Sequence, residues 1–461
     1  MRERREHIAL LSEHASPLAL LGGEDAGGQN VYVAELSRHL ASCGYAIDIF
    51  TRRESLGQPE IVQWQEGVRV IHLEAGPALI LPKDAIWPFM PAFREALLRF
   101  IARESVAYTL LHGNFWMAGQ VAIDLQQRLG IPAVQIFHAL GMTKRRHQQE
   151  EDSSPNERIP VEREIVHRAA HLIAQCPSER QELIADYGAD PARIALIPAG
   201  VDPVRFRPLP LTEARRRLGL PEQGAILVYV GRLLPRKDVR SVIQALALLV
   251  HRYGYDGTER PPITLVVVGG ETTEPDPGTT PEMAILQRLA VELGVSERVL
   301  FTGRRQPAVL PLFYSAGDIA VTTPWYEPFG LTPLEAMACA RPVVASAVGG
   351  ITYTVLDGET GLLVPPRDPE ALAARLHMLL TAPALRERMG QAARRRVEQT
   401  FTWRLTALRT AALYEAVRAA WHARGEGEGP FNKEVAGWLP TATSEVAGPA
   451  RIEEVQAPWP W

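Results

Sequence analysis

Apolar positions along the chain fall into short runs separated by amphipathic stretches. From the N-terminus the runs are "HIALL", "AIDIFT", "VRVIHL", "YTLLHG", "PAVQIFHAL", "HLIAQC" and "RIALIPAGV". Such runs, bounded by turn-forming residues, predict buried strands. Stretches such as 91–103 and 117–129 are long enough for crossover helices between them. After the first run comes "GGEDAGGQN" (22–30), then "VYVAELSRHLASCG", where Val33, Leu36 and Leu40 give one apolar helical face. Strands alternating with helices predict a parallel, doubly wound sheet.

The pattern then restarts. "AILVYV", "ITLVVVGG", "RVLFTG", "DIAVTT", "RPVVAS" and "GLLVPP" again alternate with helical segments. Between the two series lies the Pro-rich, aperiodic "GVDPVRFRPLPL" (200–211). The expectation is two α/β domains, 1–207 and 208–403, facing each other across a cleft. A long helical pattern at 404–424 is expected to pack back on the first domain. Residues 425–461 are rich in Gly, Pro and Glu and are expected to be mobile, with Trp438, Trp459 and Trp461 as the counter-signal.

At 461 residues the chain exceeds one core. Its 46% apolar and 22% charged residues are ordinary for a globular protein, and a net charge of −4 gives no reason to expect nucleic acid or a membrane surface as partner. Cys43, Cys176 and Cys339 are too few and too scattered for a disulfide framework or a metal site. The basic start "MRERREH" leads into a short apolar run that reads as a core strand, not a signal peptide, and no run is long enough to span a membrane. The expected location is the cytoplasm. Arg215, Arg216 and Arg217, and Arg394, Arg395 and Arg396, read as solvated helix faces.

Candidate chemistry clusters after strands. Glycines between the first strand and its helix let the backbone approach a ligand, and the helix N-terminus favours an anion. In "GRLLPRKD", Arg232 and Lys237 leave a strand end together and suit a diphosphate. In "PWYEPFGLTPLEAMACARP", Glu327 and Glu335 are separated by seven residues and can flank one ligand. Thr332 to Glu335 also reads as a capping box with Pro333 at the first helical position, which would give Glu335 a purely structural task. "FTGR" and "SAVGGI" put Gly303, Gly349 and Gly350 at strand ends, each a weak signal alone. In the first half, His138 stands just past a strand, with Gly141, Lys144 and Arg145 nearby and Lys83 and Arg158 in flanking segments. The ordinary alternative is a satisfied strand-end histidine and solvated loop cations.

"GRLLPRKD", with "EPFGLTPLE" about ninety residues later, resembles the retaining nucleotide-sugar glycosyltransferases of the GT-B fold. With "GGQNVYV", "FHALG" and "IPAGVDPVRFRP", the resemblance covers about residues 8–420. "DAGGQNVYVAELSRHLA", "ALILPKDAIWPF" and "ERIPVERE" look most like sucrose-phosphate synthases. Sucrose synthases and the inositol-phosphate N-acetylglucosaminyltransferases of mycothiol synthesis are similar.

This resemblance implies a role for each matching residue. Gly27, Gly28 and Gln29 would contact the acceptor, with Gly28 also near the donor diphosphate. Arg232 and Lys237 would bind that diphosphate, and Glu335 the ribose hydroxyls. Glu327, with Phe329, Gly330 and Leu331 and with Thr332 beside them, would hold the donor glucose. His138 would sit over the donor sugar, and Lys83, Lys144 and Arg158 would hold an acceptor phosphate. The chain departs from the pattern at Phe115, where many relatives have Tyr, and at Ala139, where the inositol-phosphate enzymes have Thr. "GGITYTV" also lacks the Glu often found after that glycine pair.

The implied reaction moves glucose from UDP-glucose to fructose 6-phosphate with retention, giving sucrose 6-phosphate. The departing diphosphate would take the acceptor proton. No Asp-x-Asp motif occurs, so no metal or other cofactor is expected. The alternatives are a sucrose synthase using free fructose, the inositol-phosphate enzyme, a UDP-sugar epimerase and a non-catalytic sugar-nucleotide sensor. An NAD-dependent oxidoreductase is disfavoured, because neither half has Gly-x-Gly-x-x-Gly after its first strand.

Overall fold

The computed structural model describes residues 5–19, 27–149 and 152–425. The first part of the Gly-rich loop, 20–26, and the tail from 426, expected to be mobile, lie outside the described residues.

The apolar runs of the first half form strands β1 (His7–Leu11), β2 (Ala46–Arg52), β4 (Val68–Leu73), β5 (Tyr108–Asn114), β6 (Ala133–Ile136), β7 (His171–Ala174) and β8 (Ile194–Leu196). One more strand, β3 (Ile61–Gln65), has no counterpart among the expected runs. Its sequence "IVQWQ" carries two glutamines, and it lies at the sheet edge, antiparallel to β4. An edge strand needs no continuous apolar run, since part of it faces water. The second half supplies β9 (Ala225–Val230), β10 (Ile263–Val268), β11 (Val299–Phe301), β12 (Ile319–Thr322), β13 (Val343–Ser346) and β14 (Gly361–Val364).

These strands build two sheets, ordered β3-β4-β2-β1-β5-β6-β7-β8 and β11-β10-β9-β12-β13-β14. Apart from β3, neighbouring strands pair in parallel. In each sheet the first strand after the N-terminus or the junction lies inside, and later strands add on both sides of it. That is the doubly wound, Rossmann-like order, present twice, as in the GT-B fold. Ile8, Ala9, Leu10 and Leu11 of β1 are fully buried, as a parallel strand covered on both faces requires.

The helix Trp403–Ala423 returns to the first sheet. Tyr414 meets His112 of β5 at 2.6 Å, Trp421 donates to the Gly130 carbonyl at 3.1 Å, and Thr406 donates to the Pro198 carbonyl at 2.9 Å. No helix among the described residues is long and apolar enough to cross a membrane.

The arginine runs are not simple solvated faces. Arg215 is 2% exposed, pairs with Asp318 at 2.9 Å and donates to the Ala316 carbonyl at the end of a helix. Arg394 donates to the Ala338 carbonyl and Arg396 to those of Tyr353 and Thr354. Long side chains that end on helix carbonyls cap them while their stems cover apolar surface.

Candidate active site

The carboxyl ends of the two sheets border one cleft of about 1150 Å³. From the first half Gly27, Gly28, Gln29, Lys83, His138, Lys144 and Arg158 line it. From the second half Arg232, Lys237, Glu327, Phe329, Gly330, Leu331, Thr332 and Glu335 do so. Residues singled out on separate segments of the sequence thus share one space.

Two helix N-termini meet there. The helix Gly28–Ser42 starts at the Gly-rich loop, and the helix Leu331–Ala338 starts at "PFGLT". They approach so closely that a Cβ on Gly28 would lie 3.6 Å from Leu331 Cδ1. A helix start leaves first-turn N–H groups without partners in the helix, so two starts this close suit an anion.

The second-half side of the cleft is organised around an ion pair. Lys237 Nζ donates to Glu327 Oε2, joining the turn after β9 to the loop after β12. Trp325 N–H donates to the Arg236 carbonyl at 2.9 Å, so the two segments are also zipped through the backbone. The Tyr229 hydroxyl donates to the Arg232 carbonyl at 3.0 Å and fixes the start of that turn.

Glu335 does not cap its helix. The helix begins at Leu331 with Gly330 as N-cap, so Thr332 is already inside and the expected capping box does not form. Glu335 instead accepts from the Tyr314 hydroxyl at 2.8 Å. Burial pushes its carboxyl up to about 7, with Tyr314 opposing.

The glycine pair 349–350, a weak signal in sequence, underlies the same loop. Gly350 N–H donates to the Glu327 carbonyl at 3.0 Å, and a Cβ on Gly350 would lie 2.4 Å from Phe329 Cα.

On the first-half side, His138 follows β6 with φ 60°. A non-glycine residue there stores on the order of 1 kcal/mol of strain. Its Nε2 meets Asn114 Oδ1 at 3.1 Å, and the Asn114 amide donates to the His112 carbonyl at 3.3 Å. This network makes Nε2 the protonated nitrogen and leaves Nδ1 as the acceptor. Burial, with His112 and His14 nearby, pulls the His138 pKa down to about 3, so the ring is neutral at physiological pH.

Lys144 pairs with Asp152 at 2.8 Å and donates to Ser154 at 2.9 Å. Although burial opposes its charge, these groups hold the Asp152 carboxyl below the usual range. Ser153 donates to Asp84 at 2.7 Å, which ties this segment to the short turn that carries Lys83.

Arg158 is more deeply placed than the sequence suggests. It is 1% exposed and pairs with the fully buried Glu162 at 2.8 Å. It also donates to the Ala139 carbonyl at 2.6 Å and to Ser154 at 3.1 Å, and lies 5.0 Å over the Phe115 ring. Glu162 in turn accepts from Gly141 N–H, at the start of the helix that carries Lys144. Arg158 is therefore first a hub that arranges the first-half side of the cleft.

Arg304, Arg305, Arg236 and Tyr326 also line the cleft, without a sequence expectation attached to them. Arg304 and Arg305 leave the end of β11 much as Arg232 leaves β9, so the available signal was a cation pair just past a strand end.

Residues 211–396 match the family described as glycosyl transferases group 1, and residues 27–200 match a glycosyl transferase 4-like domain. A D-inositol 3-phosphate glycosyltransferase of Kineococcus radiotolerans is 40% identical over 420 residues, covering 89% of this chain and 95% of that protein. The chain belongs to the group 1 glycosyl transferases. Another relative, D-inositol 3-phosphate glycosyltransferase 2 of Catenulispora acidiphila, is 38% identical over 90% of this chain and 96% of its own. Among solved structures, sucrose-phosphate synthase from Thermosynechococcus elongatus superposes with TM-score 0.81 at 35% identity, covering 90% of this chain and all of that one. Anabaena HepE in complex with UDP-glucose shares the fold at TM-score 0.67 and 20% identity, covering 89% and 99% of the chains.

Proposed function

We propose that this glycosyltransferase moves glucose from UDP-glucose to fructose 6-phosphate with retention, giving sucrose 6-phosphate. The observation that carries the reading is the opposition of two charged sets across one cleft. Arg232 and Lys237 stand on one side, and Lys83, Lys144 and Arg158 on the other. One set suits a diphosphate. The other suits a second phosphate, because taking a dianion out of water requires charged, hydrogen-bonding partners. The likeness to sucrose-phosphate synthase over its whole length supports the same reading.

In this reaction the bond from glucose C1 to the diphosphate oxygen breaks, and a bond from C1 to the acceptor hydroxyl oxygen forms on the same face. The acceptor proton passes to the departing diphosphate, whose growing charge Arg232 and Lys237 stabilise. Glu335 receives the ribose hydroxyls and Glu327 those of the glucose. Neutral His138 serves as a hydrogen-bonding wall over the sugar, not as a general acid. Closure of the cleft keeps water from the donor.

A second reading is favoured by the relatives named D-inositol 3-phosphate glycosyltransferase. It shares the acceptor phosphate but requires an inositol ring. Phe115 and Ala139 speak against it, since neither side chain offers a hydroxyl at the places where the resemblance expects Tyr and Thr. The test is UDP release from UDP-glucose and UDP-GlcNAc with fructose 6-phosphate, free fructose or inositol 3-phosphate at equal concentration. Fastest turnover with UDP-glucose and fructose 6-phosphate is expected. Preference for inositol 3-phosphate with UDP-GlcNAc would establish the second reading, and equal use of free fructose would remove the phosphate argument.

A further inference from the structure

We propose that His147 is a positioning residue that locks the acceptor-side helix onto the donor-side loop carrying Glu327. His147 lies in the last turn of the helix Gly141–Gln148, and its ring stacks on Tyr326 with centroids 5.0 Å apart and planes 13° from parallel. The two residues come from opposite sides of the cleft. Tyr326 immediately precedes Glu327 and is 8% exposed. Arg236, the neighbour of Lys237, also lies 5.5 Å from the Tyr326 ring. Side chains of 236 and 326 therefore stack while those of 237 and 327 form the ion pair.

The helix that carries His147 also carries Lys144, one turn earlier. A phosphate drawn to Lys144 would fix this helix, and the stack would pass that placement to the Glu327 loop. Burial, with Arg146 and Arg367 close by, lowers the His147 pKa from its ordinary value, which favours the uncharged ring in this stack. Loss of the stack would let the cleft gape and admit water to the donor. This assignment rests on the group-transfer reading above, but part of its test does not.

The experiment compares His147→Ala, His147→Phe and Tyr326→Leu in the full chain. A stacked pair of this kind is worth about three- to tenfold in kcat/KM. His147→Ala should lose about that factor in transfer to fructose 6-phosphate and should hydrolyse a larger share of UDP-glucose. His147→Phe should restore both to within about twofold. His147→Ala combined with Tyr326→Leu should cost no more than Tyr326→Leu alone, as for partners in one interaction. Amide exchange of segment 325–331 is read in parallel and needs no turnover. It should quicken in His147→Ala and not in His147→Phe. Unaltered kcat/KM, hydrolysis share and exchange in His147→Ala would overturn the proposal, as would equal impairment in His147→Phe.

Discussion

Lys237 and Glu327, ninety residues apart, form an ion pair whose side chains are only 16% and 17% exposed. Although burial opposes the charge on Glu327, Lys237 and Arg236 hold its carboxyl below the usual range. Burial lowers the Lys237 ammonium, and Glu327 opposes that. Each residue is thus the main reason the other stays charged. In the proposed reaction a diphosphate takes over Lys237 and releases Glu327 to the sugar hydroxyls, so the pair holds both groups ready at the cost of one exchange.

Removing one partner should therefore do two things. Lys237→Ala should reduce turnover about a hundredfold or more, because it removes charge stabilisation from the leaving group. It should also lower thermal stability, because a buried carboxylate loses its partner. Replacing both, as Lys237→Met with Glu327→Leu, should recover the melting temperature and none of the turnover. Arg232→Ala should match Lys237→Ala in turnover. Near-normal turnover in both single variants would take these cations out of the diphosphate site.

Glu335 sets a pH dependence. Its folded value of about 7 lies above the ordinary 4.5, so the folded state favours the protonated acid. This stabilising contribution is complete below 4.5 and is lost as pH rises through about 7. Glu335→Gln should then match the unaltered protein near pH 4.5 and exceed its stability at pH 8 by roughly 1–3 kcal/mol. Ribose hydroxyls donate best to the ionised form, so UDP affinity should rise as pH passes 7 in the unaltered protein and stay flat in the variant. Melting and UDP titration at the two pH values check both, and parallel curves would refute the role.

The acceptor cations should separate by burial. Lys83 is half-buried at the cleft edge, so Lys83→Ala should fold normally and raise the acceptor KM by about one order of magnitude, with the donor KM unmoved. Arg158→Ala would strand Glu162 in the core and should cost about 3–5 kcal/mol of stability. Acceptor KM measured beside thermal unfolding tells the two apart. A donor KM that moves with Lys83 would misplace that residue.

Much of this architecture was legible because a buried parallel strand must be a short apolar run. That rule located thirteen of the fourteen strands among the described residues and failed only at the half-exposed edge strand "IVQWQ". That the candidate residues share one cleft was legible because they follow parallel strands, whose carboxyl ends border it. What stayed hidden depends on contacts between distant segments. The letters "ERIPVERE" do not show that Arg158 is buried against Glu162, and Thr332 and Glu335 keep the spacing of a capping box although the helix starts two residues earlier, at Leu331. The Gly349–Gly350 pair is a weak strand-end signal in the sequence, and its task shows only where the Glu327 segment packs on it.

Activity should survive a chelator. In the proposed reaction Arg232 and Lys237 supply positive charge where the diphosphate departs, the work a divalent ion would otherwise do. UDP release in excess EDTA should stay within about twofold of the untreated rate. Complete loss, restored by added Mg²⁺ or Mn²⁺, would show that these two cations are insufficient.

The glycine pair offers a test of the donor loop that touches no charge. Gly350 has φ −66°, a conformation any residue adopts, so Gly350→Ala brings no backbone strain of its own. Its new Cβ would lie 2.4 Å from Phe329 Cα and 2.6 Å from the Pro328 and Phe329 carbonyl oxygens. Backbone atoms cannot swing aside as a flexible side chain does, so the whole segment Glu327–Phe329 must shift. Gly350 N–H also donates to the Glu327 carbonyl, and that bond would be stretched by the same movement. A displacement of about 1 Å at a reacting site costs on the order of a hundredfold in rate. Gly350→Ala should therefore lose turnover on that scale. Gly358→Ala is the contrasting control: nothing lies within 4 Å of its Cβ, and its φ of 78° makes the strain purely local. It should lower the melting temperature slightly and leave turnover intact. Full activity in Gly350→Ala would mean that the Glu327 loop tolerates displacement, and the sugar-holding role given to it would fall.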